Sequence, residues 1–209
     1  TRIWAVGLAL ALAPMGTSAE VAGTAALHAE AKAHQSRGEH GPARQKYEAI
    51  VAQDPADARA LREAGRSAHA MGDFKFAAYA LSRASIMAKG ARDPELYYLL
   101  GEALFALGKD AEGREAHDAA LAQIAAHPSE RVERLWQARI YVRRNDYENA
   151  ERLYNALEAP ISQGGAFEIS MAHAEFHILL KDWIGAERVL RRFLVWEPKH
   201  VQGRQMLAW

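Results

Sequence analysis

The sequence contains no cysteine. A disulfide framework, a thiolate metal site and a cysteine nucleophile are therefore excluded. An excess of charge of either sign is also missing, because 26 lysine and arginine residues balance 26 aspartate and glutamate residues. This balance removes the whole-chain electrostatic attraction on which binding to nucleic acid or an anionic membrane depends. We therefore expect no nucleic-acid partner.

Long apolar runs are scarce, and the clearest one lies near the N-terminus. Residues 3–13 are apolar, small residues follow them, and a polar sequence begins after Ala19. This order is typical of a secretory signal peptide. A membrane anchor would need about 20 apolar residues, and Pro14 and Gly16 interrupt the run before that length. The sequence predicts a signal peptide at 1–19, a periplasmic protein, and no membrane insertion after cleavage.

Recognisable catalytic motifs are also missing. The sequence has no glycine-rich phosphate loop, no nucleophile elbow and no zinc-protease helix motif of the usual order. His173 and His177 lie one helical turn apart, but two imidazoles without a third ligand make an incomplete zinc site. We interpret them as half-buried polar residues that face the second helix of their own repeat. We expect no enzyme and no cofactor, and a metal-binding protein using these two histidines is an alternative hypothesis.

A repeated pattern dominates the rest of the chain. Similar decapeptides begin at Gly38, Gly72, Gly108, Asn145 and Lys181, at intervals of 34 to 37 residues. A regular period in this range is the mark of a stacked repeat architecture. Apolar residues and alanines recur at three- and four-residue spacing on both sides of each decapeptide, which predicts two helices joined by a tight turn.

Small residues occupy equivalent positions in the two helices of each repeat. Paired helices about 8 to 10 Å apart need short side chains where they cross, and enlarging one is expected to cost about 1 to 3 kcal/mol. The predicted crossing residues are Ala31, Gly65, Gly101, Ala138 and Ala174 in the first helices, and Ala43, Ala77, Ala150 and Ala186 in the second helices.

The predicted turns begin with residues that tolerate a positive φ, namely Gly38, Gly72, Gly108 and Asn145. Lys181 stands where a glycine is usual, so we expect a turn of different shape there. Rings follow two residues later, where they are expected to wedge between the helices of the hairpin. These rings are His40, Phe74, Tyr147 and Trp183.

This pattern resembles the tetratricopeptide repeat (TPR) family, whose unit is a helix pair with small residues at the crossings, an aromatic residue after the turn and a proline near the end. The resemblance implies an all-α fold, a right-handed α-solenoid of about five TPR helix-turn-helix units. In this register residues 201–209 begin a C-terminal capping helix. The predicted units are 24–57, 58–93, 94–128, 131–160 and 167–200.

The resemblance also implies where partners bind, because the first helices of this family line a concave groove. Outward positions of these helices are therefore candidates for contact with a protein or peptide partner, and the alternative is a solvated charged surface. The same register places Leu135 and Met171 outward. The candidate partner-binding residues are Lys32, Arg59, Arg62, Arg66, His69, Tyr98, Glu102, Phe105 and Arg139.

The resulting hypothesis is a non-catalytic interaction scaffold or adaptor in the bacterial cell envelope. Family members of this kind serve pilus, secretion, export and cytochrome-assembly machines, and the sequence does not choose among them. A permanent structural subunit of such a complex is the alternative, with self-association through the C-terminal edge as a further expectation.

Overall fold

The computed structural model describes residues 18–88, 90–126, 130–158 and 166–208. These residues form eleven α-helices and no β-strand. Most of the predicted signal peptide lies outside the described residues, and the first helix already begins at Ser18. The helices are α1 (Ser18–Ser36), α2 (His40–Gln53), α3 (Ala58–Ala70), α4 (Phe74–Met87), α5 (Pro94–Ala106), α6 (Asp110–Ala125), α7 (Arg131–Arg143), α8 (Tyr147–Glu158), α9 (Ala166–Leu179), α10 (Trp183–Trp196) and α11 (Val201–Leu207).

The chain divides into two compact units. Unit 1, Thr1–Met87, contains α1 to α4, and each of these helices packs against the next. Its core is built around Tyr47 and Ile50 of α2, which are 3% and 0% exposed. Small alanines of α1 and α3 close around these two side chains. The alternation of one large and several small side chains lets the three helices approach closely.

Unit 2, Ala88–Trp209, contains α5 to α11. Its hairpins are α5 with α6, α7 with α8, and α9 with α10, and α11 packs on α10. The first helices also contact one another, α5 with α7 and α7 with α9. One core cluster joins Leu135 of α7, Tyr154 and Leu157 of α8, and Ile169 and Phe176 of α9.

Aspartate side chains cap the start of several helices. The carboxylate of Asp57 accepts a hydrogen bond from the backbone N–H of Ala60 at 2.8 Å, and the same carboxylate lies 3.1 Å from Nε2 of His28 on α1. Asp93 and Asp182 cap α5 and α10 in the same way, at 3.0 and 2.9 Å. Each cap satisfies a backbone N–H that the helix leaves without a partner. The caps therefore define where the helices begin.

The predicted crossing residues are confirmed, since all nine are buried. The two glycines among them have almost no space around them. A Cβ atom on Gly65 would lie 2.7 Å from Cγ of Leu81, and one on Gly101 would lie 2.1 Å from Cδ2 of His117. Helix backbones this close to a facing side chain admit only hydrogen at the crossing.

The turns have one shape throughout. Gly72 and Asn145 adopt φ values of 76° and 59°, and Lys181 adopts 60°. The expectation of a different turn at Lys181 is therefore wrong. The packing of α9 against α10 requires the same left-handed residue at this position, and a lysine adopts it at some cost.

Replacing Lys181 with glycine is expected to stabilise the chain by about 0.5 to 1 kcal/mol, because the left-handed conformation costs a lysine more than it costs a glycine. Urea unfolding followed by far-UV circular dichroism measures the change. Lys75→Gly is the matched control, since Lys75 is exposed in the first turn of α4, where a right-handed backbone gives glycine no advantage and the substitution should not stabilise the chain. A loss of stability in Lys181→Gly would contradict the assignment.

The rings after the turns do not behave alike. Phe74 lies against His69 of α3, with ring centroids 5.4 Å apart, and Tyr147 lies against Phe176 of α9 at 6.1 Å. Trp183 is 64% exposed, so the prediction that it wedges between helices is wrong. The aspartate cap already fixes the start of α10 without help from the ring.

None of the described helices combines the length and the hydropathy that crossing a bilayer requires.

Candidate partner-binding groove

A groove with a volume of about 490 Å³ crosses unit 2 along α5, α7 and α9. These are first helices of successive hairpins, which is the position that the TPR resemblance implied. We call this cavity the unit 2 groove. It is lined by Tyr98, Glu102, Arg139, Val142, Arg143, Asn145, Tyr147, Tyr154, Ala172, Glu175, Phe176 and Leu179.

Aromatic rings form the floor of the groove. Tyr98, Tyr154 and Phe176 are at most 7% exposed, so they present only the edges or faces that remain open to the cavity. The rings of Tyr154 and Phe176 lie 5.5 Å apart, and Tyr98 stacks on Trp136 of α7 at 6.2 Å. Rings packed this tightly give the cavity a rigid floor and leave a small apolar area open to a partner.

The two groove arginines differ in their partners. Arg143 pairs with Glu102 at 2.7 Å, and its guanidinium lies 5.3 Å from the ring centre of Phe105. Burial raises the pKa of the Tyr98 hydroxyl, and the nearby guanidinium of Arg139 acts in the opposite direction. Within the described residues, Arg139 has no carboxylate at ion-pair distance. Arg139 is therefore the groove cation whose charge the fold leaves available.

Burial shifts the pKa of several ionisable groups at and behind the groove floor. It lowers the pKa of His117, whose Nε2 lies 3.4 Å from Oε1 of Glu102, although that carboxylate acts in the opposite direction. His117 is therefore a neutral imidazole at pH 7, stacked on Tyr98 at 5.8 Å. Burial also raises the pKa of the Tyr98 and Tyr154 hydroxyls. Both tyrosines remain neutral donors at physiological pH.

The structure brings together only part of the predicted site in unit 2. Tyr98, Glu102 and Arg139 line the groove, whereas Phe105 lines a neighbouring cavity. Tyr98 is buried instead of outward. Leu135 and Met171 are 2% and 6% exposed, so the prediction that they face outward is wrong. Both side chains pack into the core, which the repeat register did not distinguish from the groove face.

The aromatic groove residues that the sequence analysis did not predict are Tyr147, Tyr154 and Phe176. Tyr147 and Tyr154 lie on α8, the second helix of its hairpin. The prediction considered first helices only and therefore did not include them. The available signal was local: Tyr147 and Tyr154 lie seven residues apart on one helix face. That face turns toward the cavity because α8 packs on α9.

The predicted residues of unit 1 lie on α1 and α3. Lys32, Arg59 and Arg66 are exposed, and Arg62 is half-buried. Arg62 pairs with Glu63, and Arg66 lies 3.9 Å from the same carboxylate. Glu63 therefore partly neutralises the charge of Arg62 and Arg66, and the sequence analysis did not consider this residue.

Glu63 is in turn fixed by the neighbouring helix. Its carboxylate accepts a hydrogen bond from Gln35 of α1 at 3.0 Å, and Gln35 accepts one from the hydroxyl of Tyr47. His69 is half-buried against Phe74. These residues are not part of the unit 2 groove, and their role in binding stays a prediction.

The predicted histidine pair is more buried and differently oriented than expected. His173 is 2% exposed and its Nδ1 lies 3.1 Å from Oε1 of Glu158 on α8, the preceding hairpin. The interpretation of two half-buried residues facing their own second helix is therefore wrong for His173. His177 does face the start of α10, with Nδ1 2.9 Å from Asp182. No group of three or more metal-ligating side chains occurs in the described part of the chain.

Solved structures share this fold at low sequence identity. TTC0263, a thermophilic TPR protein of Thermus thermophilus, matches 88% of this chain over 97% of its own length, with a TM-score of 0.72 and 19% identity. PilW, a type IV pilus biogenesis factor, matches 82% of this chain over 76% of its own, with a TM-score of 0.62 and 16% identity. PilF of Pseudomonas aeruginosa matches 88% over 81%, with a TM-score of 0.56 and 20% identity.

No protein-family model and no curated protein matches the sequence significantly. The structural matches establish a shared fold. At identities of 16% to 20% they carry no information about shared partners. The helix-hairpin architecture and these neighbours agree with the fold class that the repeat predicts. The prediction of an all-α helical solenoid is confirmed, and the chain has the tetratricopeptide repeat fold.

Proposed function

We propose that this protein is a non-catalytic interaction scaffold that holds a segment of a partner protein in the unit 2 groove. The observation that carries the proposal is the groove itself, a cavity of about 490 Å³ between three first helices. Aromatic rings form its rigid floor, and Arg139 provides an available cation. Aromatic residues and arginine are the residue types that anchor protein interfaces. The preformed cavity spares the partner much of the ordering cost of binding.

The charges of the groove indicate what the partner carries. Arg139 offers a guanidinium to an acidic side chain of the partner, since no carboxylate of the described residues lies at ion-pair distance from it. Val142 and Leu179 provide apolar surface at the same cavity. Glu102 is already paired with Arg143. The exposed carboxylate of Glu175 on α9 also lines the groove and would repel an acidic residue, so we place that residue of the partner beside Arg139. We infer a partner segment that combines an acidic residue with apolar or aromatic side chains.

The cell envelope is the location that we propose for this scaffold. The apolar run at residues 3–13 and the small residues that follow it support export across the inner membrane. PilW is a type IV pilus biogenesis factor, and its fold likeness supports an envelope role of the same general kind. Assembly or maintenance of a pilus, secretion, export or cytochrome machine is the proposed context.

Arg139→Glu is expected to weaken partner binding by about 30-fold or more, because reversing the groove cation removes an anchor worth about 2 kcal/mol and adds repulsion. Peptides selected from a phage-displayed random library on the wild-type chain serve as the probe. Fluorescence anisotropy measures their affinity for the wild type and the variant. The selected peptides are expected to share an acidic residue next to an apolar or aromatic one.

Arg152→Glu is the matched control, because Arg152 is an exposed arginine of α8 that does not line the groove. It is expected to change affinity by at most about twofold, as surface substitutions usually do. Unchanged binding by Arg139→Glu, or equal losses in both variants, would place the interface elsewhere. A library that yields no binder above background would argue against a peptide-binding groove.

A permanent structural subunit is the second candidate, and exposed apolar residues of α10 favour it. Trp183, Ile184, Val195 and Trp196 are each at least 60% exposed. Such side chains on one helix are typical of a surface that a neighbour covers, which fits the expectation of self-association through the C-terminal edge. Light scattering of the purified chain separates a monomeric adaptor from an obligate oligomer.

A further inference from the structure

The turn between α9 and α10 carries large apolar side chains that the rest of the described chain leaves uncovered. Leu180, Trp183 and Ile184 are 40%, 64% and 72% exposed. They lie on one hairpin turn, on either side of Lys181, so they form a single patch. We call these four residues the α9–α10 tip. The tip exposes on the order of 400 Å² of largely apolar surface, and patches of this size commonly mark interaction sites.

The repeat does not require apolar side chains at this turn. In the preceding hairpin the position of Ile184 is occupied by Glu148, which is also exposed. The position of Trp183 is occupied there by Tyr147, whose ring packs against Phe176. Trp183 stays exposed instead. The apolar character of the tip is therefore specific to the fifth hairpin and is not explained by packing inside it.

Lys181 adds a strained cation to the tip. Its φ of 60° costs a lysine more than it costs the glycine that occupies this position at Gly72. Backbone strain that a simpler residue would relieve points to a function of the side chain that is present. The Lys181 side chain is exposed and has no carboxylate at ion-pair distance among the residues that the structure describes.

The charges around the tip leave a positive balance. Asp182 caps α10 and contacts a histidine of α9, and Glu187 pairs with Arg191 at 2.7 Å. Arg188 lies one helical turn beyond the tip and stays outside ion-pair distance of both carboxylates. Both nearby anions are therefore engaged within the chain, whereas the charges of Lys181 and Arg188 remain available to an anionic surface.

We propose that the α9–α10 tip docks on the surface of an anionic lipid bilayer. Leu180, Trp183 and Ile184 lie at the level of the lipid headgroups, where the indole ring of tryptophan is favoured. Lys181 and Arg188 extend their long side chains to lipid phosphates. The contact is one turn deep and does not span the membrane. It goes beyond the proposed scaffold function and does not depend on it.

The size and charge of the tip favour a bilayer over a second copy of the chain. In a symmetric dimer the same patch faces itself, so Lys181 and Arg188 of both copies would meet without a free carboxylate between them. The exposed apolar area is also about half of the about 800 Å² that each partner of a stable protein interface buries. A fluid bilayer requires no matching shape. The chain as a whole is neutral, so the apolar side chains carry most of the binding and the two cations select anionic lipid.

The tip adjoins the unit 2 groove through Leu179. This residue is 58% exposed, precedes the tip directly and lines the groove. A docked tip therefore brings the end of α9, and with it one end of the groove, to the lipid surface. The resulting position of a bound partner near the membrane rests on the proposed function, whereas the lipid contact itself does not.

Vesicle flotation of the full chain tests the contact. The vesicles contain phosphatidylcholine alone or about one third phosphatidylglycerol, and we expect several-fold tighter binding to the anionic ones. Trp183→Ala is expected to weaken this binding by about tenfold or more. Trp196→Ala is the matched control, because Trp196 is 60% exposed at the other end of the same helix. It should bind like the wild type.

Lys181→Gly separates binding from stability. This substitution is expected to stabilise the fold, yet it should weaken binding to the anionic vesicles by about fivefold, because one cation near a charged bilayer contributes about that much. A damaged fold cannot produce both results. Lys199→Gly is the matched control, since Lys199 is an exposed lysine beyond the far end of α10, and it should leave vesicle binding unchanged.

Brominated lipids locate the contact, because they quench the fluorescence of a tryptophan that touches them. Trp183→Phe keeps an aromatic ring, so this variant should still bind anionic vesicles but should lose most of the quenching. Trp196→Phe should retain the quenching. Quenching that disappears with Trp196 and persists without Trp183 would overturn the assignment of the tip.

Three further results would overturn the proposal. They are the absence of flotation with anionic vesicles, equal affinity for both vesicle types, and equal losses in Trp183→Ala and Trp196→Ala. An oligomer in light scattering that Trp183→Ala dissociates would show that a second copy covers the tip. The scaffold function is decided separately by peptide binding to Arg139→Glu, since Arg139 is not part of the tip.

Discussion

Tyr154→Ala is expected to destabilise unit 2 by about 3 to 5 kcal/mol, the usual cost of removing a large buried aromatic side chain. Tyr154 is 2% exposed and contacts two rings of α9, His173 at 5.1 Å and Phe176 at 5.5 Å. Its side chain fills the junction between α7, α8 and α9. Three helices meet there, so the neighbouring side chains cannot collapse into the cavity without moving a helix.

Tryptophan fluorescence during urea unfolding measures this loss, because four of the five tryptophans belong to unit 2. Trp136, Trp183, Trp196 and Trp209 belong to unit 2, and the remaining tryptophan is Trp4. Tyr154→Phe keeps the ring and should cost far less than Tyr154→Ala.

Ile184→Ala is the exposed control for the same measurement. Ile184 is 72% exposed, and its truncation should change the free energy of unfolding by less than about 0.5 kcal/mol. A loss of under about 1 kcal/mol in Tyr154→Ala would show that the α8–α9 junction is looser than its burial indicates.

Much of the fold could be predicted because the repeat encodes it locally. A left-handed residue at Gly72 or Asn145 ends one helix, and small residues such as Gly65 and Ala77 identify the surfaces that meet. Both signals act within a few residues of the chain, and the second helix follows from the first. The helical hairpins could therefore be predicted from residue types and their spacing.

Predictions from residue type were wrong where packing between helices determines the backbone conformation or the burial of a residue. Lysine rarely adopts a positive φ, yet Lys181 does so because α9 and α10 require the turn. Trp183 is apolar and follows a turn, yet it is exposed. Leu135 and Met171 showed the converse error, since a register that assigned them to the outer face could not detect that Leu135 packs with α8 and α9, and Met171 with α10 and α11. Contacts between successive hairpins are not visible in one period of the repeat.

The candidate site was predictable only in part for the same reason. The positions of Tyr98, Glu102 and Arg139 follow from the first-helix register. The register does not predict which charges remain unpaired, because Glu102 is neutralised by Arg143, 41 residues away in the sequence. The cluster around His173 likewise joins residues of three helices that no local pattern connects.

Gly101→Ala is expected to destabilise unit 2 by about 2 to 3 kcal/mol, although alanine is the better helix former by about 1 kcal/mol. The new Cβ atom would lie 2.1 Å from Cδ2 and 2.5 Å from Nε2 of His117. That ring cannot move aside, because it is stacked on Tyr98 and lies 5.1 Å from the ring of Phe105. Steric overlap therefore outweighs helix propensity, and tryptophan fluorescence during urea unfolding measures the net loss.

Gly23→Ala is the control for helix propensity, since Gly23 is exposed inside α1 and no side chain or neighbouring backbone lies within 4 Å of the new atom. It should be neutral or stabilising by up to about 1 kcal/mol, followed by far-UV circular dichroism. A double-mutant cycle isolates the overlap itself. In a His117→Ala background the ring is gone and the backbone oxygen of Gly113, at 3.1 Å, is the remaining close neighbour, so Gly101→Ala should destabilise far less. If Gly101→Ala costs the same with and without His117, the imidazole is not what keeps this crossing restricted to glycine.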